Sequence, residues 1–147
     1  MSKFFQAFLS GVFFTFILDF FLFLGIQQNY IKVYDIDLYY NILFADNQNI
    51  YIFSLFTIFI GYLVIYLKNN KISVSILGFI FLLVLSTLIP TVGDRVAKVI
   101  FMKKDVTIKW KKYIYHGDIY YDGREDIIFY DYDLKKMILL NKKEIKK

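Results

Sequence analysis

Three stretches of the chain are apolar almost without a break. Phe4 to Ile26 carries a single charge, Asp19. Ile50 to Leu67 and Ile72 to Val92 carry none, and the latter holds the only proline, Pro90. Each is long enough for a bilayer core, which takes roughly 17–25 helical residues. A core helix of a soluble protein keeps a polar stripe, and these three have none. The pattern predicts an α-helical membrane region over residues 1–93, with transmembrane helices at 4–26, 50–67 and 72–92. The first run exceeds the roughly 7–15 apolar residues of a signal peptide, and no small-x-small cleavage site follows Ile26, so it reads as a mature helix.

The connections are of two kinds. Gln27 to Asn49 is a loop with Tyr30, Tyr34, Tyr39 and Tyr40, residues suited to a headgroup-level aromatic belt. Tyr66 to Ile72 is a tight turn that sets the second and third spans antiparallel. Residues 93 to 104 either continue the third helix, with Val96, Val99 and Ile100 on one side, or place their Lys among headgroups.

Beyond that point the period changes. Val106, Ile108 and Trp110 alternate with Thr107, Lys109 and Lys111, the rhythm of a half-buried strand. Further β-rich runs are 113–115, 119–121, 127–132 and 137–140. Asp122-Gly123 is a hairpin signal, and residues 133–136 form the next expected turn. Residues 94–147 therefore read as a small antiparallel β-rich C-terminal tail of about four strands outside the membrane. Its core would be thin, and residues 141–147 read as frayed and solvated.

Composition supports the membrane reading. The 147 residues are 58% hydrophobic, above the share of an ordinary soluble domain. The abundance of Phe, Tyr, Ile, Lys and Asn is the bias of an AT-rich genome, bacterial or organellar. Cysteine is absent, which excludes disulfides and thiolate chemistry. Charge is uneven. Residues 1–93 hold four Lys and four Asp, whereas residues 94–147 hold 14 Lys or Arg and nine Asp or Glu. Counting positive charge near the third span favours a cytoplasmic tail. The Met-Ser-Lys start and the Lys68–Lys71 turn favour a cytoplasmic N-terminus and an outside tail, and the first helix usually sets orientation. The expectation is a multi-pass protein of a cytoplasmic (inner) membrane, N-terminus inside.

Asp19 is the main candidate site. Ala7, Gly11, Thr15 and Asp19 recur every four residues, so they share one helix face. Small residues at that spacing let helix backbones approach closely in lipid. A charged side chain in hydrocarbon costs about 2.5–3.5 kcal/mol even on lenient scales, so it needs a partner. Counting depth from the span ends places Ser54 and Thr57 of the second span, and Ser86 and Thr87 of the third, level with Asp19. The expectation is a helix interface of these eight residues, with Arg95 as the ion-pair partner in reach.

Catalytic chemistry is not legible. His116 is the only histidine, in a setting that reads as a strand end and turn. One His supplies neither a metal site, which wants three or four ligands, nor a triad without a nucleophile beside it. The turn carboxylates lack calcium-loop spacing. Acidic residues interspersed with the basic ones argue against nucleic acid. No catalytic residue, cofactor, metal, nucleic acid or small-molecule substrate is therefore expected. The expected role is a non-catalytic accessory, assembly or stabilising (chaperone-like) subunit. Its partners would be membrane lipid and another integral membrane protein or complex, or a second copy of itself. Two alternatives stand beside it. In gross plan alone the chain resembles small multi-span immunity proteins that neutralise pore-forming toxins, and a homo-oligomeric channel or transporter component would line its path with Asp19.

Overall fold

The computed structural model describes residues Ser2–Ile145. The chain is mostly helical, with a four-stranded antiparallel sheet near its C-terminus. It divides into two compact units, Met1–Asp94 and Arg95–Lys147.

In the first unit, α1 runs Lys3–Ile26 and continues through a wider π turn, Gln27–Ile31. Ser2 caps its start by accepting from the Phe5 amide. The continuous helix, Lys3–Ile31, is longer and more apolar than a bilayer crossing needs. The segment expected to be a loop then contains a short helix, α2 (Tyr40–Asn47). α3 (Ile50–Ile65) follows at a bend of 83°. The bend falls at Gln48-Asn49, where the Asn49 side chain accepts from the amides of Tyr51 (3.0 Å) and Ile52 (3.2 Å) and caps α3. α3 is too short to pass as a span alone, and it does so only when joined with α2 across the bend. Two helices are thus long and apolar enough to cross a membrane, or three when the bent pair counts as one.

The third run also ends differently from expectation. α4 covers Asn70–Leu85 and tightens into a 3₁₀ turn, Ser86–Leu88. Proline has no N–H to give the Ser86 carbonyl, so the α-helical ladder stops before it. The Ile89 amide turns back to that carbonyl instead, at 3.0 Å. A new helix, α5 (Pro90–Phe101), opens on Pro90, the residue pre-set for a first helical position. Thr91 and Val92 therefore belong to α5 and not to the preceding span.

Glycines fix the packing of α1 on α3. A Cβ on Gly11 would collide with the Thr57 carbonyl, and one on Gly61 with the Ala7 carbonyl. The two backbones therefore touch at both levels. α4 packs otherwise. Within it only Ser73 is buried, its hydroxyl donating to the Leu63 carbonyl at 2.5 Å. At the far end Thr87 is buried, and its side chain fills the space a Gly25 Cβ would need. The helix is pinned at both ends and open along its middle.

In the second unit, β1 (Lys103–Trp110), β2 (Tyr113–Asp122), β3 (Asp126–Asp131) and β4 (Lys136–Asn141) form an up-and-down meander. The two short runs expected at 113–115 and 119–121 are one ten-residue strand. Gly117 makes this continuity possible, because a Cβ there would strike the Tyr130 carbonyl of the neighbouring strand. Ile108, Ile119, Ile127, Phe129 and Leu140 form the buried cluster, with Trp110, Tyr115, Ile138 and Ile145 packed around it. The end of the chain is not frayed as far as Ile145. Residues Lys142–Glu144 make a 3₁₀ turn, and Ile145 bridges to Trp110. Lys146 and Lys147, also expected to fray, lie outside the described residues.

Candidate functional site

The Ala7, Gly11, Thr15 stripe lies on the inner side of α1. Ala7 and Thr15 are 8% and 2% exposed, and Gly11 is buried. Opposite them lie Thr57, 3% exposed, and Gly61. These residues do form a helix interface, but it joins α1 to α3 of the same chain. At Ala7 and Gly11 the face expected to meet another protein is filled by the α3 backbone.

The antiparallel register also explains why the expected polar layer is not assembled. Gly11 meets Thr57, and Ala7 meets Gly61, so a step of four along α1 is a step of four back along α3. Continuing the register brings Thr15 level with Phe53 and Asp19 level with Asn49, at the 83° bend. Thr57 is therefore two helical turns from Asp19, and Ser54 is exposed. On the third run, Thr87 sits opposite Gly25, about 9 Å farther along α1 at 1.5 Å per residue. Ser86 Oγ and Thr87 Oγ1 donate back to the carbonyls of Leu83 and Val84 in their own helix. Arg95 is exposed and falls in the second unit.

The partner that Asp19 has is Gln48, whose side-chain amide donates to its carboxylate at 3.0 Å. Close by in sequence, the Tyr40 hydroxyl donates to the Phe20 carbonyl at 2.9 Å. The Tyr40 ring also lies edge-on to Phe20. The α2–α3 bend thus supplies a neutral donor for a carboxylate on α1. A neutral amide meets the hydrogen-bonding need without adding a second charge that must be desolvated. The sequence signal for this partner was the amide run Asn47-Gln48-Asn49 immediately before an apolar helix.

A second buried polar contact lies at the break after α4. Because the ladder stops at Pro90, the Thr87 carbonyl needs another donor. The buried side chain of Asn29 donates to it at 2.8 Å. Gly93 packs against the same carbonyl and the Asn29 amide, where a Cβ would not fit. A buried backbone group left unsatisfied costs about 1–3 kcal/mol, which gives Asn29 a structural role that sequence reasoning missed.

In the sheet, His116 is not at a strand end but inside β2, opposite Thr107. Its Nδ1 is 3.0 Å from Thr107 Oγ1 and its Nε2 is 3.1 Å from an Asp105 carboxylate oxygen. Hydroxyl, imidazole and carboxylate stand in line, but on an open sheet face, with the Asp105 side chain 77% exposed. His116 is itself 50% exposed, so the three groups stand in solvent. Asp118 takes the Asp105 amide at 3.0 Å and the Tyr132 hydroxyl. The latter bond pushes the Tyr132 phenol up to about 12.

Asp122 ties the meander together through Lys103 at 3.1 Å and Lys142. Burial works to raise its carboxyl, but the two lysines outweigh burial and hold it below the usual carboxylate range. Among the described residues, no group of three His, Asp or Glu side chains converges to hold a metal ion.

The remaining feature is an apolar groove of about 400 Å³ between α1 and α4. Phe14, Ile17 and Leu18 form one wall, and Val74, Leu77, Gly78 and Phe81 the other. Gly78 opens directly onto it, with nothing within 4 Å of where a Cβ would stand. No protein-family model matches the chain, and no curated protein or solved structure matches it either.

Proposed function

We propose that the chain is an integral membrane protein and a non-catalytic accessory, assembly or stabilising subunit of a larger membrane complex. In this reading it has three spans: α1, the bent α2–α3 pair, and α4 with its 3₁₀ turn. Its N-terminal side is cytoplasmic and its sheet lies outside, following the basic Lys68–Lys71 turn. Its partner is another integral membrane protein.

The open middle of α4 carries the proposal. α1 buries seven of its residues within the chain, whereas α4 buries one. Helix association in lipid is driven by close packing and polar contacts, not by exclusion of water. A span held only at its ends, beside a groove with a glycine on its wall, offers packing that its own chain does not use. The docking face is therefore the α1–α4 groove, not the Ala7/Gly11/Thr15/Asp19 face.

The test is gentle-detergent purification of the native chain with identification of what accompanies it, repeated with Gly78→Leu. A Cβ at that position meets no atom of the chain, so a leucine there reaches into the groove from its α4 wall. Co-purification of a defined membrane complex with wild type, lost with Gly78→Leu at unchanged monomer stability, is the expected result. A complex retained by Gly78→Leu would remove the groove from the interface. Wild type that purifies alone would remove the subunit reading itself.

A further inference from the structure

Helix α5 has two apolar stripes, one buried and one open at its C-terminal end. Gly93, Ala97 and Phe101 follow at four-residue spacing and are buried, Ala97 to 0% and Phe101 to 8%. Phe101 meets the Tyr121 ring edge-on at 5.5 Å. Val92, Val96, Val99 and Ile100 follow at i, i+4, i+7 and i+8, the spacing of a second helical face. Along this face exposure climbs to 86% at Val99 and 50% at Ile100. A helix of three turns does not need two apolar faces unless both are covered.

Charge says what covers the second. Arg95 is exposed and lies one step around the helix from Val99, with Lys98 beyond it and the exposed Lys104 just past the helix end. Asp94 accepts from the Tyr34 hydroxyl at 3.1 Å, and Asp105 faces His116. Across residues 94–105 four basic side chains stand against two acidic ones, so the border of the apolar stripe is basic on balance. The chain also enters α5 directly from Asn70–Leu88, a helix apolar enough to cross a membrane, through Leu88 and Ile89, which are themselves 39% and 54% exposed. The outward apolar surface is continuous in sequence from that helix into α5.

We propose that this outer face of α5 lies on the bilayer surface, Val99 and Ile100 in the headgroup–acyl boundary and Arg95 and Lys104 against anionic lipid headgroups. The inference rests on the membrane reading above. Amphipathic helices with a basic border bind this way, by buried apolar area plus attraction to anionic lipid. Each basic residue near such a surface contributes about a fivefold preference.

The chain contains no cysteine, so Val99→Cys can carry an environment-sensitive fluorophore on the full-length protein. Lys109→Cys, on the exposed side of β1, is the aqueous control. Both are placed in nanodiscs of zwitterionic lipid, with and without an anionic lipid. The label at position 99 should be shielded from aqueous iodide and quenched by spin-labelled acyl chains, more so with anionic lipid, while position 109 stays accessible. Adding Arg95→Gln and Lys104→Gln should reduce the anionic preference roughly 25-fold when both act independently. Iodide access at 99 equal to that at 109 in both lipids would overturn the proposal. Shielding without acyl-chain quenching would overturn it too, because a protein surface would then be the cover. A chain that does not enter nanodiscs at all would refute the membrane reading instead.

Discussion

Thr15 and Thr57 place hydroxyls where no acceptor reaches them. Both Oγ1 atoms are buried and without a hydrogen-bond partner among the described residues. A buried hydroxyl left unsatisfied costs about 1–3 kcal/mol. These threonines are therefore present for size, with a branched side chain small enough to keep α1 on α3, and the hydroxyl is a liability. Thr15→Val keeps the shape and removes the polar atom. It should raise stability by about 1 kcal/mol in denaturant unfolding of the detergent-solubilised protein. A loss of stability would mean that the hydroxyl has an acceptor and the α1–α3 seam is arranged differently. The small size of these positions was legible in the sequence as a four-residue repeat. Their inward direction was not, because a repeat of small residues looks the same whether its partner is α3 or another protein.

Helix pairs are set by glycine position, and the two kinds of glycine here behave oppositely. Gly11 and Gly61 face backbone carbonyls of the opposing helix, and backbone cannot swing aside as a side-chain tip can. Gly11→Ala or Gly61→Ala should each cost about 1–3 kcal/mol, with the double variant departing from the sum because both loosen the same seam. Gly78→Ala meets nothing and should instead stabilise by about 0.5–1 kcal/mol, the ordinary gain of alanine in a helix. Thermal unfolding of the three variants side by side checks both directions. At this scale the apolar runs and the strand alternation were legible, and the elements follow them. What the runs concealed was where helices stop. The absent N–H of Pro90 ends the ladder inside the third run. Asn49, a side-chain cap, starts α3 at a sharp angle and so frees Gln48 to reach Asp19. Depth counted from span ends missed this, because the contact glycines set the antiparallel offset and end-counting does not see them.

The whole molecule is two units of different physics. The first is held by apolar packing and backbone contact, and carries only four Lys and five Asp. The second has a small apolar cluster and depends more on ion pairs at its margins. Asp122 bridges the start of β1 and the turn after β4, and its lowered carboxyl value makes that bridge pH-sensitive. The sign follows from linkage. The folded carboxyl lies below its ordinary 3.8, so its stabilisation is complete above that value and is lost as pH falls through the folded value. Solvent screening at a partly exposed site keeps the contribution below about 1 kcal/mol. Acidification below about pH 4 should lower the unfolding temperature of the sheet and leave the helical transition in place. Asp122→Asn should flatten that part of the profile, as followed by aromatic circular dichroism. The charge imbalance between the units was plain in the sequence. The lysines that meet Asp122 were not, because strand register decides it.

The bond between Gln48 and Asp19 has a consequence for biogenesis. The two residues are 29 positions apart, and the carboxylate is made first. At roughly 5–20 residues per second, α1 emerges about 1.5–6 s before its amide partner exists. In the membrane reading proposed above, Asp19 would reach the bilayer without the Gln48 amide, and only the hydrocarbon of α1 would hold it there until translation reaches the α2–α3 bend. Insertion of the first helix and closure of this contact would then be separate events, ordered by the ribosome.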